Sequence, residues 1–191
     1  MFKLLRTLIA LSLLALIIYC GYLWTARVEL MERFLSKRLN LTTRIEAVSI
    51  GWNSLKIEGL RLENINPTNT PYALQVKTLE IEMNPFEFWK KPTYIDRVKI
   101  ESPIISLDLY NGVGNNNNWG HILNRFPSTG GRAFVIDQLK VTNLQFEIVR
   151  FNGKPISVPA IPYLEFENLG ANQSLNLSQI SRIVFQTILK T

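Results

Sequence analysis

The sequence predicts a mainly β protein carried on an N-terminal transmembrane helix, and three observations predict it. Residues 7–26 contain no Asp, Glu, Lys or Arg. Beyond residue 43 the apolar residues recur with a period of two, the mark of a half-buried strand. The stretch Ile95-Asp-Arg-Val-Lys-Ile-Glu-Ser returns 41 residues later as Ile136-Asp-Gln-Leu-Lys-Val-Thr-Asn. A repeated strand unit is how an elongated sheet grows. The expected order is a tail and anchor over 1–26, a juxtamembrane helix over 27–40, a curved antiparallel β-meander with short helices over 41–172, and an amphipathic C-terminal helix over 173–191.

The anchor is the run from Thr7 to Ala26. Its 20 residues extend about 30 Å as a helix, the thickness of a bilayer's hydrocarbon core. Tyr19, Tyr22 and Trp24 gather at its C-terminal end as an interfacial belt. A cleaved signal peptide is the competing reading, but cleavage after Ala26 puts Trp24 where processing needs a small residue. Lipoprotein processing at Cys20 meets the same obstacle in Tyr19. Lys3 and Arg6 hold the N-terminus in the cytoplasm; Arg27, Arg33, Lys37 and Arg38 oppose them, yet long domains translocate largely regardless of charge.

Val28, Leu30, Met31, Phe34, Leu35 and Leu39 follow at helical spacing, and Asn40 suits the left-handed stop of that helix. Strands come next. Leu55, Ile57, Leu60 and Leu62 flank Glu58-Gly59, a place for a bulge or bend. Leu74 and Val76, then Leu79, Ile81 and Met83, change phase at Thr78, which predicts another bulge. Val98 and Ile100 are followed, across Ser102-Pro103, by Ile105, Leu107 and Leu109 as a separate run. Ile136, Leu139 and Val141, then Leu144, Phe146 and Ile148, repeat the arrangement, and Leu164 with Phe166 marks a last strand. Such patterns belong to antiparallel sheets with one wet face. About eight to ten strands at 4.8 Å spacing make a sheet about 40 to 50 Å wide. Asn84-Pro85 reads as a capped short turn carrying Phe86, Phe88 and Trp89. Residues 111–119 and 128–131 read as loops. Ser178 caps the C-terminal helix, whose apolar side is Ile180, Ile183, Val184 and Ile188, widened by Phe185 and Leu189.

Composition narrows the chemistry. One cysteine and one histidine leave no disulfide framework, no zinc module and no paired imidazoles. Only Lys3 and Arg6 of the 21 basic residues precede the apolar run, so the rest carries about +4, too dilute for nucleic acid. His121 has no nucleophile or second ligand near it in sequence and reads as a hydrogen-bonded loop residue. Glu80 and Glu82 share a strand face and read as its wet side rather than as a carboxylate pair. Gly112-Val-Gly114 lacks the third glycine of a dinucleotide loop. The expectation is a protein without catalytic residues, cofactor or metal.

The order of parts resembles the N-terminal region of the AsmA family of bacterial envelope proteins over about residues 1–150. Ile50-Gly-Trp-Asn-Ser-Leu-Lys-Ile-Glu-Gly-Leu-Arg-Leu-Glu63 is similar to that family's opening hairpin, and Thr78–Trp89 to its next element. Tyr94–Leu109, followed by Asn118-Trp119, resembles its most recognisable strand pair. The resemblance implies a β-groove related to bridge-like lipid-transfer proteins. It also implies a bacterial inner-membrane anchor, a periplasmic domain, and a role in phospholipid transport or envelope integrity. The chain is far shorter than long members, so one copy makes no complete bridge and conduction needs self-association or a partner at a sheet edge. Candidate lining residues for an acyl chain are Val76, Ile81, Ile105, Leu107, Phe146 and Ile148. A second reading stays open, in which the C-terminal helix seals that face and the domain is an adaptor docking envelope proteins by its sheet edge.

Overall fold

The computed structural model describes residues 2–65, 70–110, 116–125, 132–150, 153–176, 179–180 and 183–184. Two helices lead, α1 (Phe2–Thr25) and α2 (Arg27–Leu39), meeting at an angle of 64°. Among the described residues no single helix is long and apolar enough to cross a membrane, whereas Ile9–Thr25 and Arg27–Leu39 pass by length and composition as a bent pair. Arg27 fixes the elbow. Its Nη1 donates to the Trp24 carbonyl at 2.7 Å, its Nε to the Val48 carbonyl at 2.7 Å, and its guanidinium lies over the Trp24 ring. Asn40 closes α2 in the left-handed conformation (φ 52°), as its residue type predicts.

Seven strands form one sheet: β1 (Thr43–Arg44), β2 (Ala47–Ile50), β3 (Ser54–Glu63), β4 (Tyr72–Glu82), β5 (Thr93–Asp108), β6 (Phe134–Val149) and β7 (Ile156–Leu169). Their order is β1-β3-β4-β5-β6-β7, with β2 also paired to β3. The sheet is mainly antiparallel, but β5 and β6 run parallel, which corrects the expected meander. The reason lies in the repeat. Ile95 pairs with Ile136, Val98 with Leu139 and Ile100 with Val141, so the two copies lie side by side in identical register. A parallel neighbour needs a long crossover, and that crossover carries α3 (Asn118–Arg125). The run expected to be a loop through Trp119 therefore ends in a helix.

The strands are fewer and longer than their pattern suggests. Ile95–Ser102 and Ile105–Leu107 belong to one 16-residue strand, β5, and the two runs ending at Ile148 form the 16-residue β6. Their inward-facing residues change parity without a break. Gly59, Ser102 and Asn143 take positive φ (63°, 48° and 53°). Register places Gly59, Lys77, Ser102, Asn143 and Pro162 in a single row across five strands. The expected bulge at Thr78 is accordingly absent from the ladder, because Glu58–Thr78 and Leu60–Val76 pair one to one. From β3 to β6 the strands slip in the same row, so these neighbours stay matched and the sheet creases there; β7 shifts register once more against β6, between Leu144 and Phe146.

The expected C-terminal helix is seen only in part. Leu175 bridges Phe134, so 173–176 packs beside the sheet in a non-helical form. Gln179–Ile180 and Ile183–Val184 are helical. Ser178, Phe185, Ile188 and Leu189 lie outside the described residues, as do the predicted loop at 128–131 and Gly112-Val-Gly114.

Candidate functional site

The rows across the sheet build an extended apolar face. Val48, Ile57, Leu79, Ile100, Val141 and Leu164 form one row over six strands, and Ile50, Leu55, Ile81, Val98, Leu139 and Phe166 form a second. On the other side of the crease Leu62, Leu74, Ile105, Phe146 and Val158 make a third, and Leu107, Ile148 and Ile156 a fourth. Val76, opposite Leu60 and clustered with Val48 and Ile57, stands on the same side, so all six predicted lining residues lie on this face. Val76 and Ile105 are buried, while Ile81, Leu107, Phe146 and Ile148 are half-buried.

Cover over the face is uneven. Val28, Met31 and Leu35 of α2 pack on the cluster of Ile45, Val48, Ile57, Leu60 and Val76. Leu175, Ile180, Ile183 and Val184 pack on the larger cluster around Val98, Leu139 and Leu144. In the third and fourth rows the cover thins toward β7. In the third row exposure rises from 4% at Leu62 to 38% at Val158, and Ile156 beside it is 50% exposed.

The two edges of the sheet are unlike. At the β1–β2 edge α2 satisfies the backbone: Glu32 accepts from Ile45 N (2.8 Å), Ser36 Oγ from Thr43 N (3.0 Å), and Arg27 donates to Val48 O. At the other edge, among the described residues, β7 pairs on one side only, with β6. Pro159 and Pro162 interrupt that edge, and proline removes a donor that strand addition needs.

The opposite face is charged. Glu82 is bound by Arg97 (2.9 Å) and Lys99 (3.0 Å), Arg97 Nε donates to Gln138, and Gln138 Nε2 donates to Glu165. The hydrogen bond from Lys99 holds the Glu82 carboxyl below its ordinary value, and the Glu82 carboxylate in turn raises Lys99. Tyr163, donating to Glu165, lowers that carboxyl in the same way. Glu80 and Glu82 are thus the wet side of a strand, as their spacing predicts. His121 is exposed on α3 and hydrogen-bonds Asn116 at 3.0 Å. Among the described residues no group of His, Cys, Asp or Glu is placed to hold a metal ion.

One constellation escaped sequence reasoning. Where β5 outruns β4, a buried polar knot joins four separate segments. Asn64 Nδ2 and Thr70 Oγ1 each donate to the Asp108 carboxylate at 2.7 Å. Asn118 Oδ1 accepts from Asp108 N and Trp119 N, while its Nδ2 donates to Asn64 Oδ1 and Ser106 O. Trp119 Nε1 also reaches Ser106 O, at 3.0 Å. Burial with the Asp108 charge nearby raises the Tyr110 hydroxyl, which donates to the Ile65 carbonyl. The only signal was Asn118-Trp119 itself, since the partners lie up to 54 positions away. Buried, and bonded at each of these atoms, the knot is a structural pin for α3.

Compared with known proteins, the chain matches no family model, no curated protein and no solved structure.

Proposed function

We propose that this chain is a non-catalytic, membrane-anchored lipid-handling module of the AsmA type, holding acyl chains against the apolar face of its sheet. The observation that carries the reading is the set of apolar rows, of which the third and fourth grow more exposed toward β7. An acyl chain needs no catalytic residue there, because each buried CH₂ contributes about 0.8 kcal/mol. From the row of Val98 to Leu107 the face runs nine residues along β5, about 30 Å, enough to lay a phospholipid tail lengthwise.

The anchor reading rests on α1. Leu11, Leu16 and Ile17 point in three different directions around the helix, and all are more than half exposed, with Ile17 at 67%. A helix apolar on every side needs an apolar surrounding. At 24 residues α1 extends about 36 Å. Lys3 and Arg6 favour a cytoplasmic N-terminus, and the resemblance to the AsmA family supports a bacterial inner-membrane anchor with the β-domain on the periplasmic side.

The adaptor reading is favoured by one observation, the single-sided pairing of β7, and is weakened by Pro159 and Pro162 on that strand. Site-specific photo-crosslinking in membranes separates the two. A benzophenone side chain in place of Ile148 or Val158 of the full chain is expected to capture phospholipid, and one in place of Lys77 on the charged face is not. Protein adducts without lipid from Ile148 and Val158 would favour the adaptor.

A further inference from the structure

The ends of the sheet differ as much as its faces. Contacts along α2 fix its direction: Arg27 reaches Val48, Glu32 reaches Ile45 and Ser36 reaches Thr43. The helix therefore runs antiparallel to β2, and α1 departs from the end of the sheet toward which β2 points. Because one guanidinium binds the carbonyls of both Trp24 and Val48, the aromatic end of α1 lies level with that end of the sheet.

The loops there are rich in exposed aromatic residues. Trp52, in the β2–β3 turn, is 83% exposed; Trp89, in the short 3-10 turn Pro85–Trp89 between β4 and β5, is 81% exposed. Phe86 and Phe88 of the same turn are 68% and 51% exposed. Backbone pairing brings the two loops together, through Ser54 opposite Glu82 and Met83 N donating to Asn53 O at 2.9 Å. Local chemistry holds the aromatic turn in shape. Asn84 Oδ1 caps Phe86 N, Phe88 and Trp89 meet edge to face, and Arg132 lies 4.5 Å from the Phe88 ring centre. Exposed Lys90 and Lys91 follow directly, Lys90 paired with Glu87.

Four exposed aromatic rings beside lysines are a poor surface for water and a good one for the interface of an anionic bilayer. Indole and phenyl groups settle at headgroup depth, and ammonium groups meet phosphate. We infer that Trp52, Phe86, Phe88 and Trp89, with Lys90 and Lys91, dock this end of the sheet onto the lipid surface beside the anchor. The domain then sits on the membrane at two separate places, and the row beginning at Ile50 starts at the bilayer surface. The inference takes from the proposed function only the membrane placement of α1.

Brominated lipids test it. The full chain is reconstituted in vesicles of phosphatidylcholine with a minority of phosphatidylglycerol, brominated on the acyl chain next to the headgroup. Trp24→Phe, Trp52→Phe and Trp89→Phe assign the quenched emission to each indole by difference. The three side chains are exposed, so the fold is expected to survive each change. Docking predicts that Trp52 and Trp89 lose most of their emission on bromination, and that Lys90→Glu with Lys91→Glu restores part of it. Quenching of Trp24 with Trp52 and Trp89 unaffected overturns the docking and leaves the anchor standing. No quenching of any of the three overturns both.

Discussion

Asn118 shows how much one side chain can carry. It accepts from Asp108 N and Trp119 N and donates to Asn64 Oδ1 and Ser106 O, and it is completely buried. Asn118→Ala leaves buried donors and acceptors without their partner, each costing about 1–3 kcal/mol when water cannot replace it. Some relaxation follows, and Ser106 O keeps its bond from Trp119 Nε1. The expected loss is on the order of 3 kcal/mol, seen as a lower midpoint in denaturant unfolding of the full chain in mild detergent. His121→Ala, at the exposed surface of the same helix, should leave that midpoint nearly unchanged. The sequence showed Asn118-Trp119 as a motif but not its role. Alternation along β5 sends Asp108 to the side away from Leu107, and nothing local says that Asn64, Thr70 and α3 cover that side.

At the scale of elements, the irregularities at Gly59 and Thr78 were legible, whereas Ser102-Pro103 read as a break between two strands and is a slip inside one. What they meant was not legible, because a slip in one strand reads as a bulge until its neighbours are known. Pairing puts the slips in one row, and the neighbour's direction is written in no strand's own alternation. The 41-residue repeat was the only clue to the parallel β5–β6 pair. The crease can be tested at Asn143, whose φ of 53° is left-handed and whose Nδ2 donates to Ser102 Oγ at 3.2 Å. Asn143→Val forces a β-branched residue into that conformation and is expected to cost about 1–2 kcal/mol. Asn143→Gly relieves the backbone while losing one exposed hydrogen bond, so its midpoint should stay within about 0.5 kcal/mol of the parent. Equal losses from both changes would show that the side chain, and not the backbone turn, makes the crease.

The whole molecule has a charged face, an apolar face, one edge sealed by α2 and one edge at β7. Its core and its proposed groove are the same surface, divided only by depth of cover, which is why alternation could name Val76 and Ile148 together and not tell them apart. Val76 is core beneath α2, whereas the row of Leu107, Ile148 and Ile156 thins into solvent. That gradient makes the two roles separable by substitution. Leu139, 4% exposed at the centre of the larger cluster, should cost about 2–5 kcal/mol as Leu139→Ala through the cavity it leaves. Ile156→Asp with Val158→Asp falls on residues 50% and 38% exposed, so little transfer energy is lost. Two carboxylates there put charge where an acyl chain would lie, and a bound tail would have to desolvate them. The double variant is therefore expected to keep its unfolding midpoint and its membrane fraction while losing phospholipid captured from the Ile148 crosslinking position. If lipid capture persists beside those carboxylates, the tail does not run along the β7 side of the face, and the groove must lie nearer the crease.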